Sequence, residues 1–324
     1  MYKRFFGLRA NPFNPNPDPR FLFLTNAATE ALASLAYGIR NRKGFLLLTG
    51  EVGTGKTTLL NRLLEWLSEE HVATAFVFNS RLNEREFFDF VLNDFGISCS
   101  SPDKSQRLLK LNEWLVQRYR ERRTAALIID ESQNLSPEVL EEVRLLTNME
   151  TTQEKLLQIV LSGQPELEDK LRNPSLRQLR QRITIRCNTC PLSREELQAY
   201  VAERLRIAGA NGTPIFSTEA IDAIYRRSQG IPRVVNLLCE HSLINSFVDQ
   251  TRPIPARIVE DVAREFELQK PDLIAKAVST NGGHSPEVIE TLIRSLQVLL
   301  QEVEKSRQTN PPPPDPSLSA DGGT

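Results

Sequence analysis

Residues 44–58 read Gly-Phe-Leu-Leu-Leu-Thr-Gly-Glu-Val-Gly-Thr-Gly-Lys-Thr-Thr. No other segment constrains the fold as much. Gly50, Glu51, Val52, Gly53, Thr54, Gly55, Lys56 and Thr57 match G-x-x-x-x-G-K-[ST] in full, after a short apolar strand and before a helix. Glycines let such a loop curl until its N–H groups point at a phosphate, and the helix N-terminus adds a favourable dipole. Lys56 is placed to reach β- and γ-phosphates, Thr57 to ligate Mg²⁺, and Thr58 to complete the phosphate-binding stretch.

A loop of this kind needs a strand to carry it and a sheet to hold the strand. Apolar runs at 44–50, 72–80, 125–131 and 156–163 read as strands, with a fifth at Ile-Thr-Ile-Arg-Cys (183–187). Amphipathic stretches at 26–43, 84–95, 105–122 and 137–149 alternate with them. That alternation predicts an α/β fold, a parallel sheet covered on both faces. After residue 191 only helical patterns follow, opened by the capping signature Ser193-x-x-Glu196. The expected organisation is a Pro/Phe-rich lead-in (1–25), a nucleotide-binding α/β domain (26–191), a small all-helical domain (192–270), a linker (271–285), a helix (286–305) and a Pro-rich tail (306–324). The lead-in has two readings: a loop fastened to a domain by its five phenylalanines, or a segment packed near a ligand base.

Asp130 closes the apolar run 125–129, which places it at the carboxyl edge of the sheet beside the nucleotide, suited to the Mg²⁺ shell. Glu131 follows and is the candidate general base or water-positioning group.

Composition narrows the class. Forty Lys and Arg against 41 Asp and Glu give a formal net charge of -1, which excludes a wholly basic nucleic-acid binder but not a local basic patch. No apolar run approaches the roughly 18 residues of a membrane span, so a cytoplasmic chain without direct membrane insertion is expected. Cys187 and Cys190 form C-x-x-C with no second pair or spaced His to complete a zinc site, and His71, His241 and His284 are scattered. Residues 170–186 hold Lys170, Arg172, Arg177, Arg180, Arg182 and Arg186 without an acidic residue, either a solvated basic face or a nucleic-acid contact.

A set of short motifs then extends the phosphate loop: Phe-Phe-Gly-Leu, Asn-Pro-Phe, Pro-Asp-Pro, Ile-Asp-Glu, Ser-Gly-Gln-Pro-Glu-Leu, Arg-Gln-Arg-Ile and Gly-Ile-Pro-Arg-Val-Val-Asn. As a set they resemble the AAA+ ATPase domain of the ExeA-like (general secretion pathway protein A) family, over about residues 1–270. The resemblance implies a P-loop NTPase sheet with an all-helical lid and an enzyme hydrolysing Mg²⁺-ATP. It also implies a γ-phosphate sensor at Gln164 or Ser162, and an arginine finger acting in a neighbouring subunit, Arg180 or Arg182. Arg182 is preferred there, since it stands immediately before the strand. Arg233 would be a second sensor under the lid. An ATP-dependent homo-oligomer, ring or filament, would follow, acting as motor or switch with a secretion or cell-envelope partner. Related ATPases regulate transposition on duplex DNA, which is an alternative role, as is a slow-turnover nucleotide-gated scaffold. Such relatives continue through a membrane segment into a peptidoglycan-binding part. Here a short helix and Pro-rich tail are expected instead.

Overall fold

The computed structural model describes residues 2–14, 19–78, 82–266 and 268. The expected linker, helix and tail at 271–324 lie outside the described residues.

Five parallel strands form the centre: β1 (Phe45–Gly50), β2 (Ala73–Val77), β3 (Ala125–Ile129), β4 (Leu157–Gly163) and β5 (Ile183–Thr189), in the order β2-β3-β4-β1-β5. The helices before and among them are α1 (Tyr2–Phe6), α2 (Asn26–Arg40), α3 (Lys56–Glu69), α4 (Glu84–Asp94), α5 (Lys104–Arg120), α6 (Pro137–Leu146), α7 (Pro165–Leu171) and α8 (Arg177–Gln181). The run ends with α9 (Arg194–Ile207), α10 (Thr218–Ser228), α11 (Pro232–Val248) and α12 (Ala256–Glu265).

Strand alternation explains why the central sequences are apolar at most positions, not every second one. Phe45 and Leu47 of β1 face one core together with Leu127, Ile129, Ile159 and Leu161. Leu46 and Leu48 face the other, with Leu60, Leu63, Ile128 and Val160. Helices cover both faces, so every residue of β1, β3 and β4 is buried. Edge strand β5 instead alternates buried and open positions. Each fully buried aliphatic side chain contributes roughly 1.5–3 kcal/mol by leaving water. Gln158 and Ser162 are the buried polar residues of β4; Gln158 Oε1 accepts from Gly44 N at 2.7 Å and its amide nitrogen donates to the Lys155 carbonyl at 3.0 Å.

Helices α9–α12 build a third core around Leu197, Val235, Leu238, Leu243 and Val259. The capping pair at the start of α9 forms as the sequence suggested: Glu196 N donates to Ser193 Oγ at 3.1 Å, and Ser193 N to Glu196 Oε2 at 2.8 Å. The lead-in joins this core. Phe6, Phe13 and Phe21 are buried in it, Arg204 Nε donates to the Pro12 carbonyl at 2.6 Å, and the Tyr2 hydroxyl donates to Glu240 at 2.8 Å. The phenylalanines therefore act as anchors onto the C-terminal helices.

Candidate nucleotide site

The loop after β1 turns into α3 at Lys56, with Gly55 left-handed at φ 97°. Two neighbours fix its path. A Cβ on Gly50 would come within 1.9 Å of Thr189 Oγ1 on β5, so only glycine lets the edge strand pack this close. Gly53 has φ +82°, and a Cβ there would meet Arg233 Cβ at 2.8 Å. Arg233 N donates to the Gly53 carbonyl at 3.3 Å, so the first turn of α11 rests directly on the loop. Pro232 occupies the start of that helix, where its missing N–H costs nothing. Thr54 Oγ1 lies 2.7 Å from Thr189 Oγ1 and bonds the Glu51 carbonyl at 2.7 Å.

Lys56 is buried and donates to the carbonyls of Gly50 and Glu51 at 2.7 and 3.0 Å. Burial lowers its ammonium pKa, and the carboxylates of Glu131, Asp130, Glu51 and Glu166 oppose that shift. A cation held against loop carbonyls can exchange them for phosphate oxygens.

The ends of β1, β3 and β4 bring the acidic pair together with its partners. Thr57 Oγ1 donates to Asp130 Oδ2 at 3.2 Å. Asp130 Oδ1 accepts from Ser162 Oγ at 2.8 Å and from Glu131 N at 2.9 Å. Asp130 and Ser162 are both buried, so these bonds orient the carboxylate rather than leave it to solvent. Glu131 has a left-handed backbone at φ 51°, which turns its side chain away from that of Asp130. Its Oε2 accepts from Gln133 Nε2 at 2.5 Å and from Gln164 Nε2 at 3.2 Å.

Gln133 escaped the sequence reading. Besides donating to Glu131, its Oε1 accepts from Gln164 N at 3.1 Å, and its carbonyl accepts from Lys170 Nζ at 2.7 Å. Lys170 also reaches the Leu135 carbonyl at 2.7 Å. The motif Asp-Glu-Ser-Gln offered one weak signal, a long amide two residues beyond a carboxylate.

Two members of the basic run 170–186 are engaged inward, while Arg172, Arg177, Arg180 and Arg186 are exposed. Lys170 is turned onto carbonyls, and Arg172 pairs with Asp169 at 2.8 Å. Arg182 Nη1 donates to Thr147 Oγ1 and, at 2.6 Å, to Asn148 Oδ1, beyond the end of α6. Arg180 is exposed and has no ion pair or hydrogen bond through its side chain among the described residues. Cys187 is buried and Cys190 exposed; neither is in a disulfide. Burial pushes the Cys187 thiol up to about 12.

Among the described residues no cluster of three or more His, Cys, Asp or Glu is set to hold a metal. The donor set of Thr57 with Asp130 fits Mg²⁺, which keeps much of its shell for water and substrate phosphates. A glycine-bearing loop at a helix N-terminus, a buried lysine, and a hydroxyl–carboxylate pair together fit a nucleoside triphosphate with its cation.

A profile described as the AAA domain matches residues 39–171, from the end of α2 to the end of α7. Solved structures share the architecture. The ORC2 protein of Aeropyrum pernix in its ADPNP–ADP complexes aligns with a TM-score of 0.58 at 16% identity, over 79% of this chain and 71% of that one. Cdc6p of Pyrobaculum aerophilum aligns with a TM-score of 0.55 at 19% identity, over 74% and 65%. At such identities the likeness is one of fold. The matching AAA profile places this fold in the AAA+ P-loop class. Within that class its kinship is with the ExeA-like general secretion pathway protein A: it is 44% identical to that protein of Aeromonas hydrophila over 249 residues, which cover 76% of this chain and 45% of the relative. The chain thus spans just under half the length of the relative it matches. Among the described residues no helix is long and apolar enough to cross a membrane.

Proposed function

We propose that the chain binds Mg²⁺-ATP on the loop of residues 50–58 and hydrolyses it, working as an ATP-dependent homo-oligomer in secretion or cell-envelope assembly. The observation that carries this reading is the junction of Thr57, Asp130, Ser162, Glu131 and Gln164 in one chain of hydrogen bonds beside the loop. Loop N–H groups and Lys56 bind the phosphates. Thr57 and Asp130 hold Mg²⁺, Asp130 being aimed by Ser162. The cation, when bound, neutralises charge on the phosphate oxygens. Glu131 accepts the proton of the attacking water, and Gln164, already on Glu131, is in place to register the γ-phosphate. Arg233 reaches the nucleotide from α11, which acts as part of a lid. Arg180, exposed and unengaged, is the finger offered to a neighbouring subunit in preference to Arg182, which serves its own α6. The secretion context is supported by the 44% identical relative.

Glu131→Gln and Lys56→Ala separate the roles. Glu131→Gln keeps ATP bound while phosphate release falls about 10²- to 10⁴-fold, the usual contribution of a general base. Lys56→Ala loses binding itself. Hydrolysis by Glu131→Gln at the wild-type rate would show that the base lies elsewhere.

A further inference from the structure

The opposite edge of the sheet carries a feature that plays no part in nucleotide binding. Helices α2, α3 and α5 all end there, and the turns after them lead into β1, β2 and β3. Arg42, His71 and Arg122 sit in these turns with left-handed backbones, at φ 50°, 56° and 59°. The turns bring together two basic segments far apart in sequence, Arg-Asn-Arg-Lys at 40–43 and Arg-Tyr-Arg-Glu-Arg-Arg at 118–123. Arg42 joins them: its Nη2 donates to the Arg123 carbonyl at 3.2 Å, and its guanidinium lies over the Tyr119 ring. Beside this junction is a cavity of about 340 Å³ whose walls include Arg40, Trp66, Glu70, His71, Arg122 and Arg123.

Neighbouring acids serve only part of this charge. Arg42 is 3.4 Å from Glu154, Arg118 is 3.5 Å from Glu121, and Arg123 reaches Glu121 at 3.9 Å. Arg40, Lys43, Arg120 and Arg122 are exposed and have no acidic partner among the described residues. Helix dipoles account for some of the cations, since Arg40 ends α2, and Arg118 and Arg120 lie in the last turn of α5. They do not account for Lys43, Arg122 and Arg123, which lie beyond those turns. Nor does α3, ending on the same face, carry a basic residue in its last turn. In a chain of net charge -1, a surplus at this one edge is a localised feature.

We propose that this face binds the phosphodiester backbone of nucleic acid. All but one of the cations in the two segments are arginines, whose planar fork of donors matches phosphate oxygens. The half-buried Trp66 in the cavity wall supplies an aromatic surface beside them, the combination that holds single strands by stacking and charge. A membrane surface is the weaker match, because no exposed large apolar side chain belongs to either segment or lines the cavity. The site lies at the far edge from the phosphate loop, so its occupation needs no ATP and does not rest on the reading of the nucleotide site.

Both tryptophans of the chain report on this region, Trp66 from the cavity and Trp114 beneath Arg118. In Trp114→Phe, emission comes from Trp66 alone. This nucleotide-free protein is titrated with a 30-nucleotide single strand and with its duplex at 50 and 200 mM salt, with anisotropy of the labelled DNA read in parallel. The expected result is saturable binding whose affinity falls at least about tenfold between the two salts. Arg40→Glu with Arg122→Glu lowers affinity at least about tenfold, whereas Arg172→Glu with Arg177→Glu retains it. Lys43→Glu with Arg120→Glu replaces the first pair if that pair lowers the melting temperature. Unchanged affinity in the charge-reversed face overturns the proposal. So does absence of saturable binding at 50 mM salt, or binding only to phosphatidylglycerol vesicles.

Discussion

Lys56, proposed above to bind phosphate, carries a cost in stability. Its ammonium is buried against two carbonyls, and burial lowers its pKa. The folded chain therefore gives up this proton at lower pH than the unfolded chain does. Between those two values the unfolded state holds more protons, so stability rises with pH toward the ordinary lysine range near ~10.4. Lys56→Met removes that rise. Calorimetry between pH 7 and 10 should show a flatter dependence, with no loss of melting temperature at pH 7, while ATP affinity falls at least about tenfold for one lost charge-assisted contact. Gln133 is the converse case, a residue invisible as a motif and central as a contact. It holds Glu131 and Gln164 N together. Gln133→Ala should lower kcat for ATP about 10- to 100-fold by loosening the aim of Glu131, with KM changed less than about threefold. Equal losses in kcat and ATP affinity would mean that Gln133 shapes the pocket instead. A glutamine in a turn looks like any solvated loop residue, and nothing short of the fold tells which atoms it meets.

At the scale of elements, the strands were legible because β1, β3 and β4 are buried on both faces, and such burial demands unbroken apolar runs. Asp130 and Lys56 were legible for a related reason: each terminates or follows a strand whose identity was plain. The basic stretch 170–186 was not, because spacing along a chain cannot say which arginine turns inward. The stretch from α7 through α8 to β5 sends Lys170 and Arg182 to backbone and side-chain acceptors, and leaves Arg180 outside. Arg182→Ala should therefore destabilise the chain by about 1–2 kcal/mol, through the acceptors it abandons beyond α6. Arg180→Ala should leave the urea midpoint unchanged. The reverse order would return the finger role to Arg182.

At the scale of the whole molecule, the proposed finger would make activity a property of pairs. On that proposal, Glu131→Gln keeps Arg180 and lacks the base, whereas Arg180→Ala keeps the base and lacks the finger. Each should be nearly inactive alone, and a mixture should recover part of the hydrolysis, because mixed interfaces bring one good half from each. No recovery in a mixture that co-assembles by light scattering with ATP and Mg²⁺ would remove the trans role. The lead-in also has a consequence in time. Tyr2 and Glu240 are bonded across 238 residues, and Phe6 and Phe13 lie in the core that α9–α12 close. At about 5–20 residues per second of synthesis, the first-made phenylalanines wait about ten to fifty seconds for the helices that cover them. During that interval these rings stay uncovered, which is the kind of apolar surface that holding chaperones bind.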